Sequence, residues 1–318
     1  MSLRNAQDWL LSQNKFDFSQ DKIASNLFCS PKKLNRKAYT ISVTSGKGGV
    51  GKTSISVKTG KLLAEAGYKV LVFDCDYNLS NTVIKLGLPI NNDFYQLTRN
   101  EKTFDECVHK SGNFHLLSAC NGDLDLFEDE IRLDKFVINL LVENENKYDF
   151  IILDCPAGMT KETLTLNAYS DYRFFVVTPD KASITDSYSL MKVLSKKYGV
   201  RENHLLVNKV SSIKQYKRMV KIMSETVENY LSCRLRILGG IRMENRAVDI
   251  FDKVLFDPSS RLHGNFVKVL NRFSEESVDL CDTHFMGETK GQHYASVDDF
   301  EQDVRQQASQ GVGNVISL

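Results

Sequence analysis

Apolar positions along this chain follow two rhythms, one of two residues and one of three to four. Tyr39–Thr44 alternates and is rich in β-branched residues, which predicts a strand. Residues 52–66 place Ile55, Thr59, Leu62, Leu63 and Ala66 at helical spacing, and Gly67 ends the run. Val70–Asp74 and Phe150–Asp154 are apolar almost throughout, as are residues 174–178 and 205–208. Such runs predict strands of a parallel sheet covered on both faces. Residues 236–241 add one more strand, and Leu116-Leu117 begin or edge another. Helical patterns separate the strands at Leu133–Asn144, 161–170, 184–198 and 216–231. Residues 261–273 form a last amphipathic helix, with Leu262, Phe266, Val269, Leu270 and Phe273 on one side.

Strands alternating with helices predict an α/β fold: a doubly wound, mainly parallel sheet with helices on both faces. It occupies residues 38–273 as a single domain with terminal extensions. Residues 1–37 read as an N-terminal extension, partly disordered, with a short helix carrying Ala6, Trp9 and Leu10. Residues 274–318 read as a disordered acidic tail.

Charge sharpens these boundaries. The net charge is only +1, so the chain as a whole is no polyanion binder. Residues 1–38, however, carry seven Lys and Arg against three Asp, and residues 275–318 carry two against nine Asp and Glu. The seven cysteines include no C-x-x-C pair. They predict buried, reduced thiols in a cytosolic protein and argue against a disulfide frame or a zinc site. No run of about 18 apolar residues exists to span a membrane, and the N-terminus has no signal-peptide pattern.

The chemistry begins at Gly46-Lys47-Gly48-Gly49-Val50-Gly51-Lys52-Thr53. G-x-x-x-x-G-K-[ST] between a predicted strand and a predicted helix is a phosphate-binding loop. Its backbone N–H groups from Gly48 through Ser54 turn toward phosphate oxygens, and the helix N-terminus adds partial positive charge. Lys52 is placed to reach the β- and γ-phosphates of a nucleotide, and the Thr53 hydroxyl to ligate Mg²⁺. Acids at two further strand ends point the same way, because ligands of open α/β sheets bind beyond the carboxyl ends of strands. Asp74 and Asp76 follow the second strand, and Asp154 ends the strand before Cys155-Pro156-Ala157-Gly158. Asn208 ends a later strand.

Lys47 is one lysine more than an ordinary loop needs. With it, residues 45–53 resemble the deviant Walker A loop of the MinD/ParA ATPases. The resemblance implies ATP as ligand with Mg²⁺, and a homodimer formed on ATP binding in which Lys47 reaches the partner's nucleotide. Residues 74–81 are similar to the family's switch I pattern D-x-D-x-x-x-x-N, with Asn78 where a glycine is common. By that resemblance Asp76 orients the attacking water and Asp74 lies nearer the metal. Asp154 corresponds to the Walker B acid that holds Mg²⁺, and Asn208 to the residue that bonds adenine.

Residues 177–194, Val-Thr-Pro-Asp-Lys-Ala-Ser-Ile-Thr-Asp-Ser-Tyr-Ser-Leu-Met-Lys-Val-Leu, narrow the choice. They are similar to T-P-E-P-x-S-[IL]-T-D-A-Y-x-[LM]-[IM]-K of the FlhG (FleN, YlxH) group, which limits flagellar number and helps place flagella. That implies a slow ATPase switch partnered by an FlhF-like GTPase or flagellar basal-body proteins, in the cytoplasm or peripheral at the inner membrane or cell pole. The group's N-terminal D-Q-A-x-x-L-R motif is not matched by Asn5-Ala6-Gln7-Asp8-Trp9-Leu10-Leu11. Two other readings stay open: a MinD-type protein of division-site placement, and a partition ATPase binding DNA through Lys196, Lys197, Lys214, Lys217, Arg218 and Lys221. An iron–sulfur carrier of the same superfamily would need the absent C-x-x-C pair.

Overall fold

The computed structural model describes residues 37–76, 82–118, 133–244 and 248–277. The expected Trp9 helix, the acidic tail from Val278 onward and Asn78 and Asn81 of the switch-like segment lie outside the described residues. Eight strands form one sheet: β1 (Tyr39–Thr44), β2 (Val70–Asp74), β3 (His109–Ser111), β4 (Phe114–Ser118), β5 (Phe150–Asp154), β6 (Tyr172–Val177), β7 (Glu202–Val210) and β8 (Arg234–Arg242). Their order is β3-β4-β2-β5-β1-β6-β7-β8, and every pairing is parallel except β3 with β4. The doubly wound, mainly parallel α/β expectation is therefore met in a single domain.

The helices are α1 (Lys52–Glu65), α2 (Thr82–Lys85), α3 (Asp93–Thr98), α4 (Phe104–Cys107), α5 (Leu133–Asn144), α6 (Lys161–Tyr169), α7 (Lys181–Tyr198), α8 (Ile213–Tyr230), α9 (Val248–Phe256) and α10 (Arg261–Ser277). Strand residues feed two faces in turn. Val70 and Val72 of β2 and Phe150 and Ile152 of β5 join α1, α9 and α10 in one core. Leu71, Phe73, Ile151 and Leu153 face the opposite layer, with Phe94 of α3 and Val137 and Leu141 of α5. Phe175, Val177, Leu205 and Val207 continue that layer against α7 and α8. This two-sided burial is why the strands are apolar throughout.

β1 obeys a different rule. Its Ile41 and Val43 enter the first core, but Thr40, Ser42 and Thr44 on the other side are also buried. They are satisfied by hydrogen bonds, not by water. Ser42 Oγ donates to Asn167 Oδ1 (2.9 Å), and Asn167 Nδ2 donates to Thr44 Oγ1 (3.1 Å). The Thr40 hydroxyl donates to Asp171 Oδ2 at 3.0 Å. A polar seam thus joins β1 to α6, where unpaired hydroxyls would each cost a kcal/mol or more.

Several elements extend past the sequence pattern. α7 starts at Lys181, three residues before Ile184, because Asp180 caps it by accepting from Ser183 N at 2.9 Å. α8 starts at Ile213 through the Ser212 cap. β3 and the short helices α2, α3 and α4 carry no apolar period long enough to read; β3 is His-Lys-Ser, exposed along its length. α10 packs on β8 with Leu262, Phe266, Val269, Leu270 and Phe273 all buried, and it runs to Ser277. At about 1.5–3 kcal/mol for each buried side chain, that face closes the domain and is not free to enter a membrane. No helix among the described residues is long and apolar enough to cross one. Cys75, Cys107 and Cys155 are buried free thiols, and Cys233 is a half-buried one.

Candidate functional site

β1 sits where the sheet changes winding direction, with β5 on one side and β6 on the other. The loop that follows it therefore opens into the crevice where open α/β sheets take ligands. Gly51 caps α1 at φ 98°, a left-handed conformation that a side chain would strain. A Cβ there would also lie 2.5 Å from Asn208 Nδ2. Gly46 is compelled by packing instead: its Cβ would fall 2.2 Å from the backbone carbon of Asp186 in α7. The loop is wedged between the end of β7 and the first turns of α7.

The buried half of the site faces β2 and β5. Lys52 Nζ donates to Ser45 Oγ at 3.2 Å. Burial lowers the Lys52 ammonium below its usual value, opposed by the negative charges of Asp154 and Asp76. Asp74 and Asp154 are register neighbours at the ends of β2 and β5, and both are buried. Asp154 is pushed up strongly by burial and then by Asp74; the Thr53 hydroxyl, Lys52 and Ser56 pull it down. Ser56 Oγ donates to Asp154 Oδ1 at 3.1 Å. Thr82 Oγ1 donates to Asp74 Oδ2 at 2.6 Å, and Asp76 N to Asp74 Oδ1 at 3.1 Å. Asp76 itself is half-buried at the rim. Ser54 faces inward from α1.

Two buried carboxyl groups stand side by side next to one ammonium. That donor set fits Mg²⁺, which takes one or two carboxylates and a hydroxyl and completes its shell with water and phosphate oxygens. Among the described residues no cluster of three or more His, Cys, Asp or Glu could hold a metal by itself. Thr53, Asp154 and Asp74 are the residues that would hold such an ion beside bound phosphate.

The exposed half faces α7 and β7. Lys47 Nζ lies 3.0 Å from Asp180 Oδ1, and Gly46 N donates to Ser187 Oγ at 3.5 Å. Lys209 Nζ donates to Gly49 O and Asn208 Nδ2 to Val50 O, both at 2.7 Å. Asn208 Oδ1 accepts from Lys209 N. Lys209 adopts φ 56° to make this clip. Gly48 lies open beside Ala157, and Gly158 N donates to Ser45 O at 3.1 Å, tying the segment after β5 to the base of the loop.

The structure thus gathers Lys52, Thr53, Asp74, Asp76 and Asp154 at three strand ends. It sets Lys47 and Asn208 against other protein groups. Sequence reasoning missed Asp180, Ser187, Ser56 and Lys209. Asp180 was visible as a cap, three residues before Ser183; nothing in the sequence marked the other three.

A family profile described as an AAA domain matches residues 38–207, more than half of the 318-residue chain. The flagellum site-determining protein YlxH of Helicobacter pylori is 32% identical over 208 residues, which covers 63% of this chain and 68% of that protein. The antiactivator FleN of Pseudomonas aeruginosa is 25% identical over 202 residues, covering 63% and 72%. Among solved structures, the MinD cell division protein of Aquifex aeolicus aligns with a TM-score of 0.59 at 26% identity, covering 76% of this chain and 98% of that one. Fold, loop and relatives agree: the chain belongs to this AAA domain family of P-loop ATPases, in its MinD/ParA branch and similar to the FlhG group.

Proposed function

We propose that this chain is a slow ATP hydrolase that pairs with a second copy of itself when ATP is bound, and that the pair regulates the number and placement of bacterial flagella. The observation that supports it most is the convergence of Lys52, Asp76 and Asp154 on one loop mouth, in a chain 32% identical to a flagellum site-determining protein.

The backbone N–H groups of residues 48–54 and the Lys52 ammonium hold the phosphates. Bound Mg²⁺ supplies charge neutralisation at the β- and γ-phosphates. Asp76, half-buried at the rim, orients the attacking water. Lys47 contributes across the pair to the partner's nucleotide. Asn208 reaches adenine by giving up its bond to Val50 O. Loss of the γ-phosphate removes the contacts that hold the pair together, so hydrolysis acts as a timer. The pair works in the cytoplasm or peripherally at the inner membrane or pole, with an FlhF-like GTPase or basal-body proteins as partners.

Asp76→Ala should bind ATP yet hydrolyse it at least about tenfold more slowly. It should then accumulate as a dimer in size-exclusion chromatography with light scattering, while the ADP form stays monomeric. A monomer under saturating ATP rejects the paired state. Deleting the gene in its host should raise the number of flagella per cell; an unchanged count rejects the flagellar role.

One observation favours a second reading. Lys214, Lys217, Arg218 and Lys221 lie at i, i+3, i+4 and i+7 on α8 and are all exposed, a basic stripe suited to the phosphates of DNA. ATP-dependent, salt-sensitive retention on DNA would shift the assignment to cargo partition.

A further inference from the structure

The Lys47 side chain does not project freely toward a partner. It is paired within its own chain. Its ammonium lies 3.0 Å from Asp180 Oδ1, with side chains 43% and 41% exposed, so the contact is accessible and breakable. The other end of the contact is firmly built. Asp180 accepts from Thr178 Oγ1 at 2.6 Å and from Ser183 N at 2.9 Å. Ser183 is fully buried, and its hydroxyl accepts from Thr178 N at 3.0 Å. Partial burial would raise the Asp180 carboxyl, yet these bonds and Lys47 outweigh it and hold it at about 2. Asp180 is therefore an anion fixed in place at the start of α7. The same helix touches the loop again at Gly46, through Ser187 Oγ and the Asp186 backbone. The lysine and its acceptor are thus carried on two elements packed directly together.

We propose that Asp180 is a positioning residue that latches Lys47 in cis, so that two ATP-loaded chains pair only after each has released its own lysine. This rests on the reading above that Lys47 works across a dimer. The latch opposes pairing in proportion to its strength. One exposed ion pair shifts an equilibrium only about 1.5- to 5-fold, but two latches open for each dimer, so the factors multiply. A latch this weak raises the concentration needed for pairing without preventing it. Nothing in it opposes ATP binding to the monomer, since the contact engages neither the Lys52 ammonium nor the backbone N–H groups of residues 48–54.

The test uses the full chain with Asp180→Asn. Asparagine remains a good helix cap: its Oδ1 can still accept from Ser183 N, and its Nδ2, standing where Oδ2 was, can donate to the Thr178 hydroxyl, so the charge facing Lys47 is lost while the cap is kept. Asp180→Ser, which also caps but is too short to reach Lys47, serves as the second variant. Two measurements are made. In the absence of nucleotide, acylation of Lys47 by an N-hydroxysuccinimide ester is quantified by mass spectrometry; both variants should raise its rate about twofold or more. With ATP, in the Asp76→Ala background, the dimer dissociation constant is measured by sedimentation; both variants should lower it on the order of 3- to 20-fold, with ATP affinity unchanged. Unchanged Lys47 labelling overturns the latch. So does an unchanged or raised dimer constant at intact ATP affinity. If no dimer forms in any background while labelling still rises, the contact exists but the paired-switch reading fails and takes the pairing role of the latch with it.

Discussion

Lys52 and Lys47 lie five residues apart in one loop, and the two halves of the site they serve are built by opposite means. Lys52 stands among buried groups. Asp74 and Asp154 are closed off from water, and burial together with the neighbouring Asp74 disfavours the ionised form of Asp154. Lys47 stands at the surface, held by an ion pair with both partners more than a third exposed, where water screens the attraction. Burial gives the first half strength and permanence. Exposure gives the second half reversibility. The switch proposed above would need both: a site that binds nucleotide in every state, and one contact that changes partner at little cost.

The largest expected effect breaks the buried half. Lys52→Ala removes the ammonium beside Asp154 and should weaken ATP binding about 100-fold or more, measured by isothermal titration calorimetry. Retained affinity would show that the buried half does not bind phosphate, and the contrast would collapse. Next comes the seam between the halves. Gly46→Ala forces a methyl to within 2.2 Å of the Asp186 backbone, so the loop or α7 must move. Overpacking of this kind costs about 1–3 kcal/mol, and the thermal midpoint should fall by several degrees. An unchanged midpoint with unchanged ATP affinity would mean that α7 is not wedged against the loop. The smallest effect tests the exposed half. Lys209→Ala removes the bond to Gly49 O and relieves nothing buried. ATP affinity should change less than about threefold. A loss as large as that of Lys52→Ala would erase the distinction between the halves.

Legibility followed the same divide. The strands at β2 and β5 and the helix α5 could be read residue by residue, because burial on a covered sheet leaves an apolar run that no other environment would favour. β1 was found by its alternation, which ordinarily signals a strand with one wet face. Here the polar face is dry and bonded to Asn167 and Asp171. Those residues lie more than 120 positions away, and no local pattern announces them. β3 escaped notice because an exposed three-residue edge has no period. The phosphate loop and its acids were legible because their chemistry demands fixed residue types at fixed spacing. Lys209 and Ser187 were not, since any donor or hydroxyl that the fold brings near the loop will serve.

The sequence by itself determined the parallel sheet, the phosphate loop, Lys52, and the acids at Asp74, Asp76 and Asp154, because backbone sterics and phosphate chemistry act locally and leave little choice of residue. Only the tertiary structure decided that Asp74 and Asp154 lie buried side by side, that Asn208 and Lys209 clip the loop, and that Lys47 rests on Asp180. Those contacts join residues 80 to 160 positions apart, and which distant groups meet is set by strand order and helix packing, not by neighbours in the chain.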